Sequence, residues 1–212
     1  MVAFFDIETT GLDATADFVC AVVEVGGEIL TFDTLGATVT WLVETKETLV
    51  TWNGLAFDFK FLADRVDDPL TRGRLAWLAM NRHMDLMLDF LADHGYPTSM
   101  QSVATPLGLS KTWTGEEAAK STDYAAVLAY CVDDVKVLKQ ICEKGSDAKW
   151  LARLTKMGKM AMWILPNTGF RPAKECLAAA RACPPDQSWM TTPIDIFGTA
   201  AWATDSVLQL LE

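Results

Sequence analysis

Asp6 and Glu8 near the start of the chain, Asp58 a quarter of the way along, and Tyr130 followed three and four residues later by Asp133 and Asp134 could do chemistry together. Four carboxylates aimed at one point repel one another unless hard cations hold them. The set therefore reads as a site for two divalent cations, Mg²⁺ or Mn²⁺. A pair of such ions is a common means of cutting a phosphodiester with water.

Spacing places these groups. Side chains at i and i+2 of a strand share a face, so Asp6 and Glu8 can point to one side of a strand that ends near them. Asp58 opens a helix, where an acidic residue is also favoured by the helix dipole. Tyr130 and Asp134 sit four apart on a helix and share a face, about 40° apart at a 3.6-residue period. Asp133 lies about 60° from Tyr130 on the other side by the same period, so geometry alone leaves Asp133 and Asp134 open. His83 and Asp85 read as a structural pair near the rim of such a site, and His94 as the end of a helix before Gly95.

The elements that must position them follow from pattern. Residues 2–6 read as a buried strand, 18–25 as a second, and 28–32 as a third beyond the Gly26-Gly27 turn, an antiparallel set joined by tight turns. A short helix over 35–43 precedes a strand at 49–52 that Asn53-Gly54 ends. Residues 57–66 form a helix, and Pro69 opens another running to Met80. A short strand around Met84 and Leu86 leads into a helix through Leu91, and Thr98 or Ser99 caps one through Ala104. Residues 108–115 read as a loop. From Thr122 to Cys142 the positions Val127, Leu128, Cys131, Val135, Leu138 and Cys142 carry helical periodicity. Beyond Gly145 we expect a short helix, a hairpin across Pro166-Asn167-Thr168-Gly169, a helix from Pro172 to Arg181 and an irregular tail. Strands first, with helices packed on the sheet, make an α/β domain over residues 1–144 and an extension over 145–212.

Bulk composition narrows the function classes. The chain has 212 residues, half of them apolar, and a net charge of −10. That charge argues against general duplex binding, which relies on Lys and Arg. It is uneven. Between Lys144 and Arg181 eight basic residues face Asp147 and Glu175, a local +6 that could hold a polyanion, with Trp150, Trp163 and Trp189 available to stack on bases or to pack a small core. The five cysteines show no Cys-x-x-Cys spacing, which fits reduced thiols in a cytoplasmic protein. Two histidines away from paired cysteines disfavour zinc. We expect no signal peptide and no membrane span.

The strings Phe5-Asp6-Ile7-Glu8-Thr9-Thr10-Gly11-Leu12, Asn53-Gly54-Leu55-Ala56-Phe57-Asp58 and Tyr130-Cys131-Val132-Asp133-Asp134 resemble, in order, the three motifs of DnaQ-like 3′–5′ exonucleases, the DEDD enzymes. The resemblance spans about residues 2–142. It implies an RNase H-like fold, a mixed five-stranded sheet flanked by helices, with a small hairpin-containing C-terminal extension. In one branch of that family a Tyr precedes the last Asp by four residues; in the other a His precedes it by five. Tyr130 places the chain with the Tyr branch, and that register selects Asp134. Residues 102–109 also resemble the segment before the third motif in polymerase-B-like members.

The resemblance implies roles. Asp6 would bridge two cations, Glu8 and Asp134 would complete one site, and Asp58 would bind the second ion. Tyr130 would orient the attacking water, because a phenol with a pKa near 10 is a poor base unaided. Backbone near Thr9, together with Leu12 and Asn53, would touch the terminal nucleotide. The implied activity is removal of nucleoside 5′-monophosphates from the 3′ end of single-stranded DNA, with RNA left open and a polymerase or repair protein as partner chain. A non-catalytic nucleic-acid-binding module on the same fold is the rival, and predicts a missing carboxylate.

Overall fold

The computed structural model describes residues 1–11 and 15–208. Its centre is a five-stranded mixed sheet. β1 (Val2–Thr9) pairs antiparallel with β2 (Phe18–Val25), which pairs antiparallel with β3 (Glu28–Phe32). On its other edge β1 runs parallel to β4 (Thr48–Thr51), and β4 to β5 (His83–Asp85), giving the order β3-β2-β1-β4-β5. Gly26 and Gly27 make the β2–β3 turn with φ of 61° and 89°, the positive values that a tight hairpin turn requires. This is the mixed five-stranded sheet of an α/β domain that the resemblance implies.

Alternation along β1 divides the molecule. Ala3, Phe5 and Ile7 enter one core and Phe4 the other. The first core is covered by α1 (Leu35–Glu44), α2 (Asp58–Ala63) and α3 (Pro69–Asn81), with α8 (Ala173–Ala182) and α9 (Ala201–Leu208) packed beside them. The second lies under α5 (Met100–Ala104) and α7 (Tyr124–Ala148), with β6 (Trp150–Leu154) and β7 (Met160–Ile164) beside it. α4 (Leu86–His94) feeds Leu88 and Leu91 to the first core and Leu86 and Phe90 to the second. Each buried leucine or phenylalanine contributes about 1.5–3 kcal/mol, so both faces of the sheet carry weight.

Several expectations for the C-terminal third are corrected. The long helix does not end at Cys142, and no separate short helix follows Gly145. α7 continues to Ala148, because a side chain at 145 would meet the Phe170 ring at 2.7 Å and glycine lets that ring close onto the helix. The hairpin turn lies at residues 155–159, with Thr155 and Lys159 closing it, while Pro166–Gly169 is a separate turn that leads toward α8. A 3-10 turn at Thr105–Leu107 precedes the expected loop, and at the loop's end α6 (Gly115–Lys120), which was not expected, starts from a capping box on Thr114 and Glu117. The tail expected to be irregular ends in α9, whose Ala203 is buried in the first core. Leu86 belongs to α4 rather than to β5.

The residues after 145 are not a strip laid on the surface. Trp163 is fully buried, edge-on to Trp52, Phe90 and Phe170 at 6.5, 5.2 and 5.5 Å. Of the eight basic residues between 144 and 181, three are engaged within the fold. Arg153 donates to the Tyr96 hydroxyl and lies over Phe90, Arg171 pairs with Asp89 and Asp93, and Arg181 lies over Phe197. Truncation near residue 145 removes Leu151 and Trp163 from one core and Cys176 and Leu177 from the other. It would therefore report on folding before binding. All five cysteines are free thiols, and among the described residues no helix is long and apolar enough to cross a membrane.

Candidate active site

Asp6 and Glu8 lie on the face of β1 that also carries Phe4, opposite Val22 and Cys20 of β2. That face is covered by α7, so the two carboxylates are trapped between strand and helix. The register slips between Glu8 and Thr9, the kind of bulge that re-aims side chains at a sheet's end. Thr9 is buried and donates its hydroxyl to the Gly11 carbonyl at 2.5 Å, which turns the chain away.

Asp58 reaches the site through a clamped turn. Thr51 ends β4, and its hydroxyl oxygen accepts the Gly54 N–H at 3.0 Å. A Cβ on residue 54 would fall 2.2 Å from that oxygen, so the turn requires glycine there. Asn53 takes φ 70°, a left-handed value that Asn tolerates better than most residues. Asp85 closes the clamp, accepting the N–H groups of Asn53 and Leu55 at 2.9 Å each, and of Met87 and Leu88 at 3.1 Å at the start of α4. Asp58 then accepts the Ile7 N–H at 3.0 Å, so β1 itself points the carboxylate.

His83 locks the other side of this turn. Its Nδ1 faces the Ala79 carbonyl at 3.1 Å and its Nε2 the Thr51 hydroxyl at 2.7 Å. Nδ1 must be the donor, so Nε2 accepts from Thr51. Burial holds the ring's pKa below the ordinary 6.5. The neutral ring's contribution to stability is complete above 6.5 and declines as the pH falls from there toward the depressed folded value. We expect the urea midpoint of His83→Gln to rise relative to that of the wild type as the pH falls from 7.5 to 5.5, a difference in pH slope between the two proteins. Equal slopes would remove His83 as a source of pH dependence.

α7 brings Tyr130, Cys131 and Asp134 over Asp6 and Glu8. Asp133 instead faces solvent, with Lys136 at 3.9 Å, so the structure separates the two acids that helical geometry left open. Ligand atoms of Asp6, Glu8 and Cys131 lie within 4.8 Å of one another. Asp58 and Asp134 fall outside that tight group but border the same cavity of about 540 Å³, with Asp6, Glu8 and Thr9. An adjoining cavity of about 410 Å³ shares Asp6, Trp52, Gly115 and Asp134 with the first and adds Asn53, Lys111 and Trp113. The remaining expected contact residue, Leu12, lies outside the described residues.

With this geometry in place, comparison with known families gives one decisive match. A family model described as RNase_H superfamily covers residues 3–145. The chain belongs to the RNase H superfamily. No curated protein matches it. RNase H superfamily members are typically nucleases, act on nucleic acid and generally use divalent metal ions.

The donor chemistry of this RNase H superfamily site fits such ions. Loss of hydration, followed by the nearby Asp134 charge, raises Asp6 to about 7. Loss of hydration, then Asp6 and Asp134, raises Glu8 to about 10. Burial and Asp6 likewise hold Asp58 well above its ordinary value, and burial raises Asp134. Carboxylates packed this way are uncomfortable without added positive charge. Asp134 Oδ1 is also buried with no hydrogen-bond donor among the described residues, which leaves an oxygen free to ligate. Cys131 does not soften the set. Burial keeps its thiol protonated, and the Sγ donates to Asp6 Oδ2 at 3.7 Å, leaving the ligand atoms all oxygen.

Motif reading passed over Cys131, Lys111 and Trp113. Lys111 Nζ stands 2.5 Å from Asp134 Oδ2 and 4.9 Å from the Tyr130 ring centre, and Trp113 stacks on Tyr130 at 6.3 Å and 28°. Only Cys131 carried a signal. It follows Tyr130 directly on a helix whose Tyr130–Asp134 face was already assigned to the site.

Proposed function

We propose that the protein is a divalent-cation-dependent 3′–5′ exonuclease that hydrolyses phosphodiester bonds at a single-stranded 3′ end and releases nucleoside 5′-monophosphates. The observation that carries the proposal is the meeting of Asp6, Glu8, Asp58 and Asp134 on one cavity beside Tyr130. Asp6, Glu8 and Asp134 would hold one ion, and Asp6 with Asp58 the other. Mg²⁺ or Mn²⁺ suits the all-oxygen set. Bound there, such ions supply an activated water and charge for the attacking and leaving oxygens.

The chain's own residues do the positioning. The Ile7 N–H presets the direction of Asp58. Burial, then the Asp134 and Glu8 charges, keep Tyr130 a neutral phenol far above neutral pH, so it orients a water by hydrogen bonding and does not take its proton. The two cavities meet at Asp6 and Asp134, so a strand lying across both presents the phosphate between two nucleotides to the carboxylates. DNA is the favoured substrate because the third motif resembles polymerase-linked proofreading domains, and a polymerase or repair protein is the partner this implies. Four buried free thiols support a cytoplasmic setting.

Single DNA and RNA strands labelled at the 5′ end, digested side by side with Mg²⁺, Mn²⁺ or chelator, test the proposal. The expected result is a descending ladder of products with mononucleotide release, abolished by chelator and faster on DNA. Internal cuts in an RNA–DNA hybrid with intact ends, or shortening that persists in chelator, would overturn it. Faster digestion of RNA would make it an exoribonuclease on the same residues.

A further inference from the structure

We propose that Lys111 holds a cation's place over Asp134 in the ion-free protein, so that filling the carboxylate site requires the strap carrying Lys111 to leave Tyr130. This rests on the reading above that the carboxylates bind divalent cations. The strap runs from Gly108, at φ 75°, to Thr114, the N-cap of α6. Three of its contacts fall on the third motif. Lys111 Nζ pairs with Asp134 Oδ2 at 2.5 Å, the same ammonium lies over the Tyr130 ring, and Trp113 stacks on that ring from the same segment.

The pair is shielded, with the Lys111 and Asp134 side chains 16% and 5% exposed, so the attraction is stronger than that of a surface ion pair. An ammonium and a divalent cation cannot share the same carboxylate closely without repulsion in so shielded a site. One must yield, and Lys111 sits on the movable partner. No residue from 105 to 117 is fully buried, and within the strap only Leu109 and Trp113 pack, partly buried, against the second core. Its main-chain ties at this point are few: the Lys111 N–H to Gln101 Oε1 at 3.2 Å and the Leu109 N–H to the Ala104 carbonyl at 3.1 Å. Beyond Leu109, the side chains that hold the strap on the third motif are Lys111 and Trp113, and an entering cation opposes the first of them directly.

Ion entry is therefore coupled to strap release, and Lys111 weakens cation binding while keeping Asp134 aimed and compensated until the ion arrives. Lys111 acts as a positioning residue, through Asp134.

The test is Mn²⁺ binding to the full chain without nucleic acid, by calorimetry, with tryptophan fluorescence recorded in parallel. Lys111→Met is expected to bind the Mn²⁺ assigned to Asp6, Glu8 and Asp134 about tenfold more tightly, a difference of about 1.4 kcal/mol. Lys111→Arg, which keeps the cation, should stay close to wild type. In the wild type, Mn²⁺ should change a fluorescence component that Trp113→Phe removes. Trp113→Ala, which loosens the strap without touching a carboxylate, should also tighten Mn²⁺ binding, and it serves if Lys111→Met fails to fold. Equal Mn²⁺ affinity in wild type and a folded Lys111 or Trp113 variant overturns the strap while leaving the nuclease reading intact. Saturation of the wild type with no Trp113-dependent signal does the same. Failure of both wild type and variant to bind Mn²⁺ removes the strap and the nuclease reading together.

Discussion

Asp6→Asn is expected to lower mononucleotide release by about 10³-fold, the scale on which loss of one preorganised charge contact acts in an active site. Asp6 borders both cavities and stands within ligand reach of Glu8, so it is the carboxylate best placed to serve two ions. The amide keeps the size of the side chain and removes one negative charge from a crowded, poorly hydrated cluster. The ion-free variant should therefore melt at or above the wild-type temperature, which separates loss of chemistry from loss of fold. Stabilisation by added Mn²⁺ should shrink in parallel, because that shift depends on binding to the native state alone. A variant that degrades DNA at the wild-type rate, or that retains the full Mn²⁺-induced rise in melting temperature, would exclude Asp6 from the ion site.

Arg171→Met should cost about 3–5 kcal/mol of folding stability, the range for removing one partner of a buried ion pair. Asp89 on α4 is fully buried. The Arg171 guanidinium grips it from the segment leading into α8, with Nε 2.7 Å from Oδ1 and the backbone N–H 3.1 Å from Oδ2, and also reaches Asp93 at 2.9 Å. Burial holds Asp89 above its ordinary value even with Arg171 beside it. Without the guanidinium it would rise further. A folded pKa raised above the unfolded one gives stability that is present at low pH and lost as the pH rises. The deficit of Arg171→Met should therefore be larger at pH 8 than at pH 5. The double variant Asp89→Leu, Arg171→Met should recover most of the loss, because it leaves no buried charge orphaned and Asp93 is a third exposed. Urea unfolding of the single and double variants at both pH values measures this, and a deficit below about 1 kcal/mol at pH 8 would show the pair to be no better than a surface one. Because Asp85 caps α4, the same lesion should also loosen the turn that presents Asp58.

The sheet and its helices were legible because local signals agreed with the final packing. Glycine pairs marked the hairpin turn, and short apolar runs marked strands buried on both faces. The extension was misread where one residue served tertiary rather than local needs. Gly145 reads as the start of a second unit but lies inside α7, where its missing side chain leaves room for the Phe170 ring. Arg153, Arg171 and Arg181 looked like a polyanion strip and are bound to the fold's own aromatic rings and carboxylates.

For the site, residue types and their periods were enough to name Asp6, Glu8, Asp58, Tyr130 and Asp134 as one chemical set, because carboxylates at those spacings share faces of a strand and of a helix. Three things needed the folded chain. Asp133 and Asp134 differ only in which side of α7 meets β1. Asp85 and His83 support Asp58 through a turn that exists only once β4 and β5 lie side by side. Lys111, from a segment with no periodicity, reaches Asp134 across a distance in sequence that no local pattern encodes. Period and propensity describe neighbours along the chain, whereas charge pairing across the sheet depends on where distant segments come to rest.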